Sequence, residues 1–396
     1  MLVSRQLTVV IAPDSFGGAL DSVHVAAAIG AGWARARPGD EVTQVPMADG
    51  GEGTLAALEV ALGDHARRRT VATVDPLGRP IEADWLLLDD GHAAFVEMAA
   101  ASGLARLTAE ERTPQTARDA TTRGTGELLR AALDIGVDRI TVGLGGSAST
   151  DGGAGMLTAL GARLLGRNGA ELPPGGAALA HLDRVDASDL DQRLAAVNLV
   201  VASDVTNPLT GSTGAAATYG PQKGADPAAV EELDAALARF GDAIEDATGR
   251  AVADLPGAGA AGGTTAALLG FTGAVVRPGV DVVAELVGLP ALLEQADLVI
   301  TGEGRADEQT LSGKAAMGVA GLARTRNAPV VLLCGGLGPG ASALDASGVF
   351  AVVQPVADRP MELAEAMADT ERLLANAAER LARTVGVGLA LADRER

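Results

Sequence analysis

The segment 143–155 combines residue types that bind phosphate, because it contains glycines, small hydroxyl residues and one aspartate. A short β-branched apolar run at 138–144 precedes it, and apolar residues at helical spacing follow. A strand–loop–helix start exposes backbone N–H groups, and the helix dipole adds about half a positive charge there. A tight turn without a ligand is the alternative. The predicted phosphate-binding residues are Gly145, Gly146, Ser147, Ser149, Asp151, Gly152 and Gly153.

Two lysines are unusual in a chain whose other basic residues are arginines. Lys223 and Lys314 are the only lysines among the 31 basic residues, and both lie in glycine-flanked motifs. A compact ammonium group on a flexible side chain suits a phosphate site. We therefore predict that both lysines bind phosphate.

Polar loops with carboxylates follow the other predicted strands. Mg²⁺ takes one or two carboxylates together with substrate phosphates. Phosphoryl transfer needs those parts and a carboxylate that receives a hydroxyl proton. The sequence therefore predicts phosphoryl transfer, and the residues of these loops are Asp14, Ser15, Asp49, Glu52, Asp204, Asn207, Glu303, Arg305 and Asp307.

A different enzyme class rests on the segment 257–262, which matches the dinucleotide fingerprint GxGxxG and precedes Asp281 by about 20 residues. The residues before it do not form a buried apolar strand, so the expected context is missing. An NAD-dependent oxidoreductase of a small hydroxy acid remains an alternative, as does a non-catalytic anion-binding protein. A Walker A loop and metal-ligand spacing of the histidines are absent from the sequence.

The order of predicted elements indicates an α/β fold with two domains. Strand–loop–helix units at both ends of the chain predict a parallel sheet, with ligands at the carboxyl ends of its strands. A hairpin of residues 81–88 and 93–97 is foreign to such a sheet. We predict one discontinuous α/β domain of residues 1–73 and 285–396. A second α/β domain, 74–284, is inserted into it and carries the hairpin and the glycine-rich loop.

Composition narrows the function classes. The net charge of −20 disfavours a nucleic-acid partner and an anionic membrane surface. The sequence has no apolar run long enough to span a bilayer, and its single cysteine, Cys334, fits a reducing compartment. A cytoplasmic enzyme is expected. Its oligomeric state can be that of a monomer or a homodimer.

Six motifs, taken together and in order, resemble the bacterial glycerate kinase family of the glyoxylate and glucarate pathways. They occupy residues 12–18, 46–54, 145–155, 204–209, 221–225 and 301–310. The resemblance implies ATP-dependent phosphorylation of D-glycerate with Mg²⁺, and 2-phosphoglycerate is the expected product ahead of 3-phosphoglycerate. It also implies that the discontinuous domain is flavodoxin-like and that the active site lies in the cleft between the two domains.

The resemblance also implies roles for the residues in these motifs. The glycine-rich loop and Lys223 would bind the nucleotide, and Lys223 would also take part in catalysis. Lys314 lies outside these motifs, and its predicted nucleotide contact rests on the scarcity of lysine in the chain. Either Asp204 or Asp14 would be the general base or a metal ligand. Glu303 and Asp307 would bind Mg²⁺ or accept the proton of the substrate hydroxyl group. Arg305 would bind a carboxylate or a phosphate. The implied substrate-binding residues are Ser15, Asp49, Gly50, Gly51, Glu52, Asn207, Arg305, Asp307 and Gln309.

Two positions depart from the family pattern. Gly17 stands where the family commonly has lysine, and Ser149 and Thr150 stand where Thr-Asn is frequent. If the missing lysine contacts phosphate or the substrate carboxylate, the affinity or substrate choice of this chain differs accordingly.

Overall fold

The computed structural model describes residues 5–312 and 315–394. The chain divides into two compact units. The first consists of Met1–Ala48, Ala56–Gly63 and Val280–Arg396, and the second of Asp49–Leu55 and Asp64–Gly279.

The strands, in chain order, are β1 (Thr8–Ile11), β2 (Glu41–Gln44), β3 (Ala66–Val74), β4 (Pro80–Leu88), β5 (Ala93–Glu97), β6 (Arg139–Gly143), β7 (Arg163–Gly166), β8 (Leu182–Asp186), β9 (Asn198–Ala202), β10 (Val275–Arg277), β11 (Leu298–Ala306), β12 (Val330–Leu337) and β13 (Val352–Pro355).

The α-helices are α1 (Ser22–Ala36), α2 (Thr54–Leu62), α3 (Ala99–Ser102), α4 (Pro114–Asp119), α5 (Arg123–Ile135), α6 (Ala154–Ala159), α7 (Ala215–Tyr219), α8 (Pro227–Thr248), α9 (Thr264–Phe271), α10 (Gly279–Leu286), α11 (Leu289–Leu293), α12 (Ala315–Arg324), α13 (Ser342–Ser347), α14 (Leu363–Ala368) and α15 (Thr370–Ala392). No helix in the described part of the chain is both long enough and apolar enough to cross a membrane.

The first unit is built on a parallel five-stranded sheet of order β13-β12-β11-β1-β2. Its strands come from both ends of the chain, so the sheet is discontinuous in sequence. Helix α1 packs on α15 and buries Val25, Ile29 and Trp33. Cys334 is fully buried in β12, and burial raises the pKa of its thiol to about 12.

The second unit is built on a mixed six-stranded sheet of order β10-β9-β6-β5-β4-β3. Strands β5, β6, β9 and β10 are parallel, whereas β4 is antiparallel to both β3 and β5. Helix α8 contributes Leu233, Leu237, Phe240 and Ile244 to the core, as their spacing predicts. Each such buried side chain contributes about 1.5–3 kcal/mol relative to an exposed one. The predicted hairpin of β4 and β5 is present.

Two features differ from the sequence predictions. Strand β3 pairs with β4 along its whole length, so the second unit resumes at Asp64 rather than at the predicted residue 74, and it ends at Gly279 rather than at 284. The apolar stretch after the glycine-rich loop is not one long helix. Helix α6 ends at Ala159, Gly161 adopts a φ of +105°, and the chain continues as β7, which pairs with β8.

Candidate active site

The glycine-rich loop and Lys223 contact each other in the second unit. The loop connects β6 to α6, and Lys223 ends a short 3₁₀ turn. The Lys223 side chain is buried, and its Nζ donates to the Ser147 hydroxyl at 2.9 Å and to the Ser149 carbonyl oxygen at 2.5 Å. Two motifs that lie more than 70 residues apart in sequence are thereby joined by the predicted lysine.

Burial changes the ionisation of both charged groups in this cluster. Desolvation lowers the pKa of Lys223 to about 7, and the nearby charge of Asp151 opposes this shift. Desolvation raises the pKa of Asp151, whose carboxylate is also buried, although hydrogen bonds from backbone N–H groups oppose that rise. Neither group reaches solvent in this conformation.

The N–H groups at the start of α6 are already occupied, and this corrects the sequence interpretation. The Asp151 carboxylate accepts from the N–H groups of Gly153 and Gly155, each at 3.1 Å. It also accepts from the N–H and the hydroxyl of Thr122, and that hydroxyl accepts from Met156 N–H at 2.9 Å. The prediction of bare N–H groups at this helix start is therefore wrong for this structure. Asp151 ties the loop to the segment that precedes α5.

The part of the loop that an anion can reach is its beginning. Gly146 is exposed and Gly145 is half-buried, whereas Ser147 and the residues after it as far as Ala154 are buried. Gly152 N–H donates to the Gly262 carbonyl oxygen at 2.9 Å. The hydroxyl of Ser149 is buried and has no hydrogen-bond partner among the described residues. Of the seven loop residues predicted to bind phosphate, only Gly145, Gly146 and the edge of Ser147 are open to a ligand here.

The loop with Asp49 and Glu52 lies directly against the glycine-rich loop. Gly145 N–H donates to the Gly50 carbonyl oxygen at 3.3 Å. A β-carbon at Gly145 would overlap the α-carbon of Gly51, so this approach requires glycine. The Asp49 carboxylate accepts from Gly51 N–H at 3.0 Å, and the side chains of Asp49 and Glu52 are exposed. Both carboxylates are therefore available beside Gly145.

Asp204 follows β9 at the same edge of the sheet. Its Oδ1 accepts from Gly279 N–H, the first residue of α10, at 3.1 Å, and the residue is exposed. The backbone of Gly50 also packs closely on Ala202, the last residue of β9. Parallel strands bring the loops at their carboxyl ends together. The glycine-rich loop, Asp204 and the loop of residues 49–52 accordingly meet at the carboxyl ends of β6 and β9.

Asn207 is held by its neighbours rather than left open. The Tyr219 hydroxyl donates to Asn207 Oδ1 at 2.8 Å, and Asn207 Nδ2 donates to the Thr213 carbonyl oxygen at 2.7 Å. Both ends of the amide thus have protein partners. In this structure Asn207 organises the loop that follows Asp204.

In the first unit, the predicted residues lie at the carboxyl ends of β1 and β11. Asp14 N–H donates to the Gly302 carbonyl oxygen at 2.9 Å, which places Asp14 beside Glu303 on the neighbouring strand. Ser15 is exposed, and its N–H donates to the Asp14 carboxylate at 2.6 Å. Strand β1 lies between β2 and β11, so the strand order reverses its direction here. Ligands of open α/β sheets bind at such a point.

Thr310 links the carboxylate cluster of the first unit. Its hydroxyl donates to Glu303 Oε1 at 2.6 Å and accepts from Asp307 N–H at 3.1 Å. Arg305 Nε lies 3.3 Å from Asp307 Oδ2, and the Arg305 side chain is 65% exposed, so it can reach a ligand. Gln309 lies in a 3₁₀ turn, but its side chain is outside the described residues, as is Lys314.

Sequence reasoning missed the roles of Thr122 and Thr310. Thr310 lies in the motif of residues 301–310, so the sequence could have indicated that its hydroxyl group contributes to the site. Thr122 directly precedes α5, where hydroxyl residues are common helix caps, so its type alone gave no indication of a role at Asp151.

The segment 257–262 is a packing element in this structure. No described strand leads into it, because β9 ends at Ala202 and β10 begins at Val275, and this contradicts the NAD fingerprint interpretation. Gly259 N–H donates to the Asn207 carbonyl oxygen at 3.0 Å. A β-carbon at Gly262 would overlap the Ser149 carbonyl oxygen. The segment thus touches both the loop after β9 and the glycine-rich loop.

Comparison with known proteins identifies the family of the chain. The model of the glycerate kinase family matches residues 9–386. A glycerate kinase of Halalkalibacterium halodurans is 46% identical over 375 residues, which cover 95% of this chain and 97% of that protein. The glycerate 2-kinase of Escherichia coli is 42% identical, with 97% and 99% of the two chains covered.

A solved structure gives the same result at the level of the fold. The crystal structure of a putative glycerate kinase 2 from Salmonella typhimurium LT2 superposes with a TM-score of 0.84 at 43% identity, and it covers 97% of this chain and 99% of that one. The match extends over both compact units. The chain belongs to the glycerate kinase family.

Proposed function

We propose that this protein transfers the γ-phosphoryl group of ATP to a hydroxyl group of D-glycerate, and that 2-phosphoglycerate is the product ahead of 3-phosphoglycerate. The observation that supports this most is the convergence of three loops at the carboxyl ends of β6 and β9. These loops carry glycine backbone at the half-buried Gly145 and the exposed Gly146, and exposed carboxylates at Asp49, Glu52 and Asp204. Phosphoryl transfer depends on positioning and electrostatics more than on covalent chemistry, and such a set supplies both.

In the proposed reaction, nucleotide phosphate binds the backbone at Gly145 and Gly146, where it replaces the Gly50 carbonyl oxygen as the partner of Gly145 N–H. Lys223 supports them indirectly, because its ammonium group holds the Ser147 hydroxyl and the Ser149 carbonyl oxygen. The glycerate hydroxyl oxygen forms a bond to the γ-phosphorus while the bond from that phosphorus to the bridging oxygen breaks, and ADP leaves. The hydroxyl proton passes to a carboxylate, for which Asp204 and Asp14 are the candidates.

The glycerate carboxylate needs a cationic partner. Arg305 is the candidate, since it is exposed and its planar guanidinium group suits a carboxylate. Asp49, Gly50, Gly51 and Glu52 would bind the substrate hydroxyl groups.

Mg²⁺ is proposed as a second requirement of the reaction. No group of three or more potential metal-ligating side chains occurs in residues 5–312 and 315–394. A Mg²⁺ ion does not need such a group, because one or two carboxylates together with substrate phosphates can hold it. Asp204, Glu303 and Asp307 are the candidate ligands, and the bound ion would neutralise charge on the transferred phosphoryl group.

The strand order of the first unit also bears on the proposal. Numbered by their order within the first unit, its strands lie in the order 2-1-3-4-5, which is the flavodoxin-like order. We propose that this unit is a flavodoxin-like domain and that the second unit is an inserted α/β domain. A cytoplasmic location would supply the ATP that the reaction consumes.

The test is to incubate the protein with ATP, Mg²⁺ and D-glycerate and to assign the product by phosphorus NMR. We expect ADP and 2-phosphoglycerate. We expect the Asp204→Asn variant to lose about 10²–10⁴-fold in kcat, if Asp204 is the base. Asp183→Asn, an exposed aspartate of β8, is the matched control and should leave kcat unchanged.

Three outcomes would contradict parts of this proposal. Near-normal turnover by Asp204→Asn would remove Asp204 as the base and leave Asp14. Nicotinamide absorbance changes with glycerate and NAD but without ATP would favour an oxidoreductase. Tight ATP binding without ADP formation would favour a non-catalytic anion-binding protein.

A further inference from the structure

Glu97 is a buried carboxylate that the proposed reaction does not use. It is the last residue of β5 and is 6% exposed. Its Oε2 accepts from Leu55 N–H at 2.8 Å, and its Oε1 accepts from Gly53 N–H at 3.3 Å. A buried carboxylate is costly unless hydrogen bonds satisfy it, so this pairing is a specific feature of the fold.

The two N–H groups that donate hydrogen bonds to Glu97 lie at the start of α2. The first N–H groups of a helix have no partner within the helix, and an anion is stabilised there by the helix dipole. Thr54, between them, donates its hydroxyl to the Gly51 carbonyl oxygen at 2.6 Å. Glu97 therefore fixes the chain immediately after Glu52.

The loop of residues 49–52 is held on its other side by the glycine-rich loop. Gly50 accepts from Gly145 N–H, and a β-carbon at Gly143 would overlap the Gly50 carbonyl oxygen. Glu97 and Gly143 are register partners on the neighbouring strands β5 and β6. The ends of two adjacent strands thus hold the loop, one through a side chain and the other through close backbone packing.

We propose that Glu97 is a positioning residue for glycerate binding, which it serves by fixing the loop that presents Asp49 and Glu52. This inference rests on the proposed function, because the loop is the one assigned to the substrate. A carboxylate suits the task better than an amide does. It offers an acceptor oxygen to each N–H group, whereas glutamine has one acceptor and a donor group.

The charge on Glu97 is set by its surroundings. Burial raises its pKa, the hydrogen bonds from Leu55 and Gly53 oppose that rise, the charge of Glu52 adds to it, and Arg68 opposes it. The charge of Glu52 thus acts on Glu97, and the two belong to one local arrangement.

The experiment compares Glu97→Gln with the wild-type enzyme in steady-state kinetics and in hydrogen exchange. Loss of a hydrogen bond to a charged group should raise the KM for D-glycerate about tenfold or more while the KM for ATP stays nearly constant. The Gly53 and Leu55 amides should exchange faster. Glu111→Gln is the matched control, because Glu111 accepts from Thr108 N–H at 2.9 Å elsewhere in the unit, and neither KM should change.

An unchanged KM for D-glycerate in Glu97→Gln would overturn the proposal, as would equal rises in both KM values. If Glu97→Gln does not fold, Glu97→Asp retains the charge with a shorter reach and should raise the same KM by a smaller factor. If the wild-type enzyme does not phosphorylate glycerate, the proposed function fails. The positioning of the loop is then judged on amide exchange alone, and unaltered exchange would end that claim as well.

Discussion

The fold strongly changes the ionisation of Lys223. Its ammonium group is buried, and its recorded acceptors are the Ser147 hydroxyl and the Ser149 carbonyl oxygen. Its pKa falls from the usual 10.5 to about 7. Neither acceptor is a formal anion, so the lysine is held by dipoles, and its charged form is disfavoured relative to that in water.

The lowered pKa of Lys223 determines how the free energy of unfolding changes with pH. Between pH about 7 and 10.5 the unfolded chain retains the lysine proton and the folded chain loses it, so the unfolded state binds more protons. The free energy of unfolding therefore rises with pH across this window. The cost of burying the charge is complete below pH about 7 and has vanished above pH 10.5.

We predict that Lys223→Met removes this pH dependence. The free energy of unfolding of the wild type, minus that of the variant, should grow as the pH rises from below about 7 to above about 9. Urea unfolding of both proteins at the two pH values measures this difference. Gln222→Met, at the exposed neighbouring position, is the control and should show no such growth. A constant difference for Lys223→Met would mean that the lysine keeps its proton throughout.

The composition of the chain identified Lys223, but its contacts could not have been predicted. An unusual residue type in a glycine-flanked motif indicates a special environment. The contacts themselves join positions 74 and 76 residues apart. The partner of Met156 N–H is hidden for the same reason, because Thr122 lies 34 residues away. The partner of the Gly153 and Gly155 N–H groups is local, since Asp151 lies in the same loop.

Among the elements, the segment 257–262 carries backbone strain next to the candidate site. Ala261 has a φ of +53° and Gly262 a φ of +67°. A left-handed conformation costs an L-residue about 1–2 kcal/mol, so the surrounding contacts must stabilise it at Ala261. Those contacts include the glycine-rich loop, through Gly152 N–H and the Gly262 carbonyl oxygen.

We predict that Gly262→Ala disturbs the glycine-rich loop as well as the local backbone. The new methyl group would overlap the Ser149 carbonyl oxygen, which accepts from Lys223. The free energy of unfolding should fall by more than the about 1–2 kcal/mol of backbone strain, and the KM for ATP should rise. Urea unfolding and steady-state kinetics measure the two effects.

Gly136→Ala separates strain from contact in that experiment. Gly136 ends α5 with a φ of +88°, and a β-carbon there would meet no atom within 4 Å. In Gly136→Ala the free energy of unfolding should fall by about 1–2 kcal/mol, and the KM for ATP should not change. If both variants behave alike, the segment 257–262 has no special relation to the glycine-rich loop.

A buried, β-branched run predicts a strand most clearly. β1, β6, β9 and β11 are such runs, and each is largely buried. The sequence also predicts β2, although its residues are exposed or half-buried. β3 was missed because most of its residues are exposed and it includes consecutive arginines, so its apolar alternation is weak. The residues of β7 fit helical spacing in the sequence, because so short an apolar run has no decisive period.

At the scale of the whole molecule, each compact unit has its own apolar core. One core joins β1, β11 and β12 with α1 and α15, and the other joins the six-stranded sheet with helices that include α5 and α8. The resemblance to the glycerate kinases covers nearly the whole chain, so the family and its two α/β regions could be predicted. The predicted cleft between domains remains a prediction.

The two cores allow a test of where the nucleotide binds. If Gly145 and Gly146 bind phosphate, ADP with Mg²⁺ should protect amides of the second unit. At an ADP concentration about 100-fold above its Kd, the bound form is stabilised by about 2.7 kcal/mol, which slows exchange about 100-fold where exchange requires release of the ligand. Hydrogen-exchange mass spectrometry should find that protection in residues 143–155 and in α6, because the chain from Asp151 to Met156 is tied to Thr122. Protection confined to residues 298–312 would instead assign the nucleotide to the first unit, and the glycine-rich loop would then hold no phosphate.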